Sequence, residues 1–340
     1  MNQQPPEPEH AQQVAAMPPV MDFFLTKRFP CAFLIVFMLT SSILFEVTLG
    51  SVPLLGLIAA LLGTLLLTAV PAVFALALLG GGLKYTLQVA AIATLAIMFL
   101  SSASGLILLI FVGFFVVPTL LVTQRLQLPQ QFQQASWLLL SSLFALVFIT
   151  LWFSSDASSI KATVTLICEP LFANMLKNVP VGDAAALLQV QQLQSNIIFV
   201  FPGMLVFSLW LVWWWNILFA RQTAHKYGFF HGDDTPMLHF AMPSHTVYVL
   251  LAAALFANIA DGGLQYISIN VLLVLASMYA VQGVAVVHLW LRSKGMSNSV
   301  VIMYVMLFFW VPIIPLFMII GLLDIWFNFR RNMLSTTGET

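Results

Sequence analysis

Nine apolar runs, parted by short polar or turn-forming stretches, fill most of the chain: 29–49, 53–79, 86–101, 105–123, 136–153, 196–219, 246–260, 266–291 and 299–326. An α-helix needs about 20 apolar residues to cross a hydrocarbon core of about 30 Å, and most of the runs approach or exceed that length. None alternates apolar with polar residues as a membrane-spanning strand would. The pattern therefore predicts an all-α fold: a polytopic transmembrane helical bundle of about eight spans plus a C-terminal broken or tilted segment. That last run holds Pro312 and Pro315 near its middle. Proline removes a helical donor and crowds the preceding turn, so two geometries stay open, a re-entrant pair of half-helices and one tilted, kinked helix.

The polar remainder divides the chain. Residues 1–26, Pro-rich and without the basic start and apolar core of a cleavable signal peptide, read as a disordered cytoplasmic tail. Residues 27–333 form the transmembrane domain, with an extracytoplasmic segment at 154–195 and a cytoplasmic loop at 220–245. A second disordered tail is expected at 334–340. Within 154–195, "VGDAAALLQVQQLQS" predicts a short amphipathic surface helix. The cluster Trp213, Trp214 and Trp215 reads as an interfacial anchor.

Composition sharpens this picture. The chain is 61% hydrophobic and 7% charged, with mean hydropathy +1.00, where a soluble domain would be about a quarter charged. Twelve basic and twelve acidic residues give zero net charge, which leaves no broad basic surface for nucleic acid. Placing Lys27 and Arg28 in the cytoplasm puts Lys84, Arg125, Arg221, Lys226, Arg292 and Lys294 there as well. Only Lys161 and Lys177 fall outside, so the positive-inside rule gives a multi-pass protein of the bacterial inner membrane with a cytoplasmic N-terminus. A ninth full crossing would put Arg330 and Arg331 outside, against that rule. Cys31 and Cys168 lie on opposite sides in this topology, and no disulfide is expected.

Candidate chemistry is sparse. Loop 220–245 carries His225, His231, His239 and His245 with Asp233 and Asp234, at spacings that match no metal-site template. No nucleophile elbow, phosphate-binding loop or metalloprotease helix occurs. Neither an enzyme, a metal nor a cofactor is expected. In the eighth run, Asn270, Ser277 and His288 fall within about 20° of one another on a helix. Such a stripe is either a ligand-binding face or an interhelical hydrogen-bonding seam. A cavity reaching Asn270 and Ser277 would favour the first; solid packing there would favour a scaffold for other membrane proteins. Expected partners are thus the lipid bilayer, with either a small-molecule substrate or other membrane proteins. Gly56, Ala60 and Gly63 share one helix face, a close-packing signal.

Two stretches, "YAVQGVAVVHLWLRSKG" and then "IIGLLDIWFNFRR", resemble the C-terminal half of the YybS-like family of predicted bacterial multi-pass membrane proteins. The matching positions are Gln282, Gly283, Asp324, Phe327, Arg330 and Arg331. On a continued helix Asp324, Asn328 and Arg331 would share a face, so Asp324 could pair with Arg331 or with a basic group elsewhere. The family is distantly similar to the substrate-binding S-components of vitamin transporters, which implies small-molecule binding without an ATPase in the same chain.

Overall fold

The structure is a computed structural model that describes residues 16–49, 53–102, 104–154, 159–179, 183–230, 232–233 and 235–330. The expected tail 334–340, Arg331, His231 and Asp234 lie outside the described residues. Eleven helices follow in order among them: α1 Pro19–Thr26, α2 Arg28–Leu49, α3 Pro53–Leu100, α4 Gly105–Leu126, α5 Phe132–Phe153, α6 Ile160–Lys177, α7 Ala184–Lys226, α8 Thr246–Ile259, α9 Gly262–Ser293, α10 Ser297–Phe309 and α11 Ile314–Phe327. No strand occurs among the described residues. Five helices are long and apolar enough to cross a membrane, or seven if each of two sharply bent pairs counts as one span. The longest, α3, is broken at Gly82 (φ 75°, ψ 175°), which glycine alone adopts without strain. It therefore joins the second and third expected runs.

Two expectations are corrected by helix ends. Residues 1–15 of the expected N-terminal tail lie outside the described residues, and its last part, Pro19–Thr26, is helical, with Pro19 opening it where a missing N–H costs nothing. The predicted short surface helix is instead the first part of α7, 43 residues long. The Asp183 carboxylate accepts the Ala186 N–H at 3.0 Å, and this cap starts the helix before the polar segment rather than after it.

The chain forms two compact units. The first comprises residues 1–127 and 213–232. Here α2 packs along α3; of the predicted Gly56/Ala60/Gly63 ladder Gly63 is buried, Gly56 half-buried and Ala60 exposed, with Ala59 buried in its place. Tyr85 donates its hydroxyl to the Phe24 carbonyl near the end of α1. In α4, Pro118 brings no N–H to the Phe114 carbonyl four residues back. The helix widens to a π turn at Phe111–Val116, and Trp213 Nε1 donates to Phe114 O at 2.8 Å. Trp213 and Trp214 are thus core residues, and Trp215 alone of the three is exposed.

The second unit comprises residues 128–212 and 233–340 and is organised around α9. Gly283 on α9 and Gly321 on α11 sit at a point of backbone contact. A Cβ on Gly283 would collide with the Phe317 carbonyl, and one on Gly321 with the Tyr279 carbonyl. Phe317 then packs with Ala280, Leu291 and Met303. The last apolar run is broken rather than merely tilted, since the chain bends by 113° between Ser297–Phe309 and Val311–Phe327. At 1.5 Å per residue each arm is roughly 20–25 Å long, so the bent pair spans only about 25 Å end to end, short of a ~30 Å core.

That geometry predicts a re-entrant segment. Cysteines introduced singly at Ser297 and at Asn328, in a chain with Cys31 and Cys168 replaced by alanine, should react with a membrane-impermeant maleimide from the same side. Labelling from opposite sides would establish a crossing.

Candidate functional site

The contact between Gly283 and Gly321 brings α11 close enough for side chains next to the two glycines to meet. Gln282 Nε2 donates to Asp324 Oδ2 at 3.0 Å. Arg330 donates to the same oxygen through Nε at 3.0 Å and through Nη2. Its Nη1 donates to the Phe240 carbonyl at 2.6 Å, while Gln282 Oε1 accepts the Met242 N–H at 2.8 Å. Asp324 is 3% and Gln282 1% exposed, so the pair is held inside the protein, within the apolar length of α9. The second carboxylate oxygen, Oδ1, has no hydrogen-bond partner among the described residues.

Asp324 pairs with Arg330, six residues on, while Arg331, the partner expected along the helix face, lies outside the described residues. The reason is local: α11 ends at Phe327, and Asn328 takes the left-handed conformation (φ 46°, ψ 48°), so the chain turns back on the carboxylate. Asparagine is among the few non-glycine residues that tolerate this region. Of the positions in the family resemblance, Gln282, Gly283, Asp324 and Arg330 therefore converge. Phe327 is exposed and stacks on Phe329.

The three polar positions of the eighth run do not converge. Asn270 is fully buried against α7. Its Oδ1 accepts the Gly203 N–H at 2.7 Å, and its Nδ2 donates to the carbonyls of Phe199 and Tyr266. Phe199 is the residue whose carbonyl Gly203 would meet in a regular helix, so the Asn270 amide is spliced into that rung. Pro202, next door, leaves the Ile198 carbonyl without its helical donor, and the Tyr266 hydroxyl supplies one at 2.8 Å. Ser277 bonds back to the Leu273 carbonyl on its own helix. His288 Nδ1 meets the Tyr304 hydroxyl of α10 at 2.9 Å. Packing is solid at Asn270.

A cavity opens one turn before Asn270. It measures about 610 Å³, with Lys161, Phe199, Gly263, Gln265, Tyr266 and Trp152 in its lining. The Lys161 ammonium lies 4.4 Å from the Phe199 ring centroid, in cation–π range. A smaller space of about 170 Å³ beside Trp137, Phe144 and Val274 is almost wholly apolar. Sequence reasoning missed the larger cavity, because its walls come from the starts of α6 and α9 and the middle of α7, far apart in the chain.

The histidine loop holds no group of three or more metal-ligating side chains among the described residues. His245 packs edge-on against Trp137. Asp233, 5% exposed, has a structural role. One carboxylate oxygen accepts the Phe132 N–H at the start of α5, and the other accepts both the N–H and the hydroxyl of Thr235. Burial pushes its pKa up, but the Thr235 hydroxyl and the amides of Thr235, Phe132 and Gln131 outweigh that and hold it below the usual carboxylate value.

Helices of this length and apolarity, with polar groups turned inward onto one another, define a multi-pass helical membrane protein. The chain belongs to the family described as "Predicted membrane protein (DUF2232)", whose profile matches residues 41–325. No curated protein and no solved structure matches it.

Two outcomes test the polar architecture. Arg330→Ala leaves a buried carboxylate unpaired and should cost about 3–5 kcal/mol, read as a fall in the thermal midpoint of detergent-purified protein; Asp324→Leu/Arg330→Met should recover most of that loss. Asp233→Asn should cost about 1–3 kcal/mol at neutral pH. A depressed folded pKa stabilises above the unfolded value and stops doing so as pH falls through the folded one. The gap between wild type and Asp233→Asn should therefore close below the ordinary carboxylate range, and a pH-independent gap would contradict the hydrogen-bonded carboxylate.

Proposed function

We propose that this protein is a non-enzymatic component of the bacterial inner membrane that binds a small molecule, in a transport-related role and without an ATPase of its own. The observation that carries this reading is the cavity beside Lys161. Its volume of about 610 Å³ falls among those of ligand sites, as do its largely apolar walls with a few polar groups. With the N-terminus in the cytoplasm, as the positive-inside count favours, the starts of α6 and α9 lie on the outer side, where a scavenged compound would arrive. The resemblance to the YybS-like family, and through it to vitamin-transporter S-components, agrees with binding uncoupled from catalysis in this chain.

In this reading Asn270, Ser277 and His288 do not line the site. Asn270 instead holds α7 and α9 together behind the cavity wall formed by Tyr266. The competing reading, a scaffold for other membrane proteins, draws on the solid packing at Asn270.

Gly263 offers a discriminating variant. A Cβ there meets nothing within 4 Å, so a large side chain can enter the cavity from the rim without disturbing the helix. Mass spectrometry of compounds released from protein purified in mild detergent should find one that is enriched in wild type and lost in Gly263→Trp. Identical extracts from the two would overturn the binding reading and favour the scaffold.

A further inference from the structure

The geometry points to an anionic amphiphile as the occupant of the Lys161 cavity: a carboxylate or phosphate head with an apolar body. This inference rests on the binding reading above and adds the ligand's charge and shape. Among the described residues Lys161 is the only charged side chain in the lining, so no carboxylate there offsets it. It makes no ion pair there, and its contact with the Phe199 ring leaves its hydrogen-bonding protons for a ligand. Unlike Arg330, this cation has no counter-ion among the described residues.

The backbone adds charge of the same sign. Ser159, Ile160 and Lys161 belong to the start of α6, while Gly262 and Gly263 open α9, so two helix N-termini border one cavity. The first amides of a helix carry partial positive charge. At α6 the Ser159 side chain takes up the Ala162 N–H, but at α9 Asp261 makes no side-chain cap bond. The two glycines leave that first turn uncovered, with open space where each Cβ would stand. Beside these polar groups, Trp152, Phe199, Tyr266 and Ile267 present ring and branched aliphatic surface. The Tyr266 hydroxyl is committed to the Ile198 carbonyl, so its ring rather than its oxygen faces the ligand. Such a site selects a negative head joined to an apolar body, whether that molecule is a lipid or a soluble organic acid.

The test uses the full chain in a neutral maltoside detergent, with 1-naphthyl phosphate as probe and 1-naphthol as its uncharged counterpart. Binding is followed by the shift in thermal midpoint on titration. Wild type and Lys161→Arg should bind the phosphate, and Lys161→Gln should bind it about ten-fold more weakly. Naphthol should bind all three alike and more weakly than the phosphate binds wild type. Competition by phosphatidylglycerol but not phosphatidylcholine would identify the natural source as a lipid; no competition by either would identify a soluble acid, and both support the anionic site. Equal binding of phosphate and naphthol, unaffected by Lys161→Gln, would overturn the charge assignment while leaving a binding cavity. Failure of either probe to bind wild type better than Gly263→Trp would overturn the cavity reading itself.

Discussion

In an apolar surrounding no water is at hand for a peptide group that leaves its helix, and each one left unpaired costs several kcal/mol. The second unit answers that constraint at several breaks in its helices. Pro202 frees the Ile198 carbonyl and Tyr266 fills it; Asn270 takes both sides of the neighbouring rung. The irregular stretch after α7 offers the Phe240 carbonyl to Arg330 and the Met242 amide to Gln282. In the first unit, Trp213 serves the Phe114 carbonyl freed by Pro118. Several buried polar side chains are thus engaged in mending backbone.

This gives the Asp324–Arg330 pair a physical meaning. A buried ion pair contributes little net stability, because desolvation offsets its attraction. Its value here is positional. Asp324 gathers Gln282 and Arg330 onto one oxygen, and those two side chains then fix residues 240–242 against α9 and α11. Gly283 and Gly321 make this possible by letting the backbones touch. The cavity differs in kind: among the described residues Lys161 has no partner of opposite charge, which leaves it for something outside the chain. Polar groups paired with one another brace the second unit, and the cation beside the cavity marks the candidate site.

Much of the architecture was legible along the chain. The all-α membrane class followed from run length and from the lack of alternation. The four convergent residues of the C-terminal motif were recognisable as types before their geometry was known. The stripe of Asn270, Ser277 and His288 was also real as a helical face, yet it spans about 27 Å of α9 at 1.5 Å per residue, so the three meet different neighbours. Lys161 stood out only as one of two basic residues on the sparsely charged side, a signal that spoke to topology and not to a site.

The sequence by itself determined the class of the fold, a break at the Pro312–Pro315 segment, and the scarcity of charge. These are local properties: hydrophobic length, a missing N–H and a residue count. Tertiary structure decided which side chain answers each break, that Asp324 finds Arg330 through a left-handed turn at Asn328, and that the starts of α6 and α9 flank one cavity with α7 in its wall. Such pairings join residues up to about a hundred positions apart. They depend on how helices are set against one another, which periodicity within a single helix does not encode.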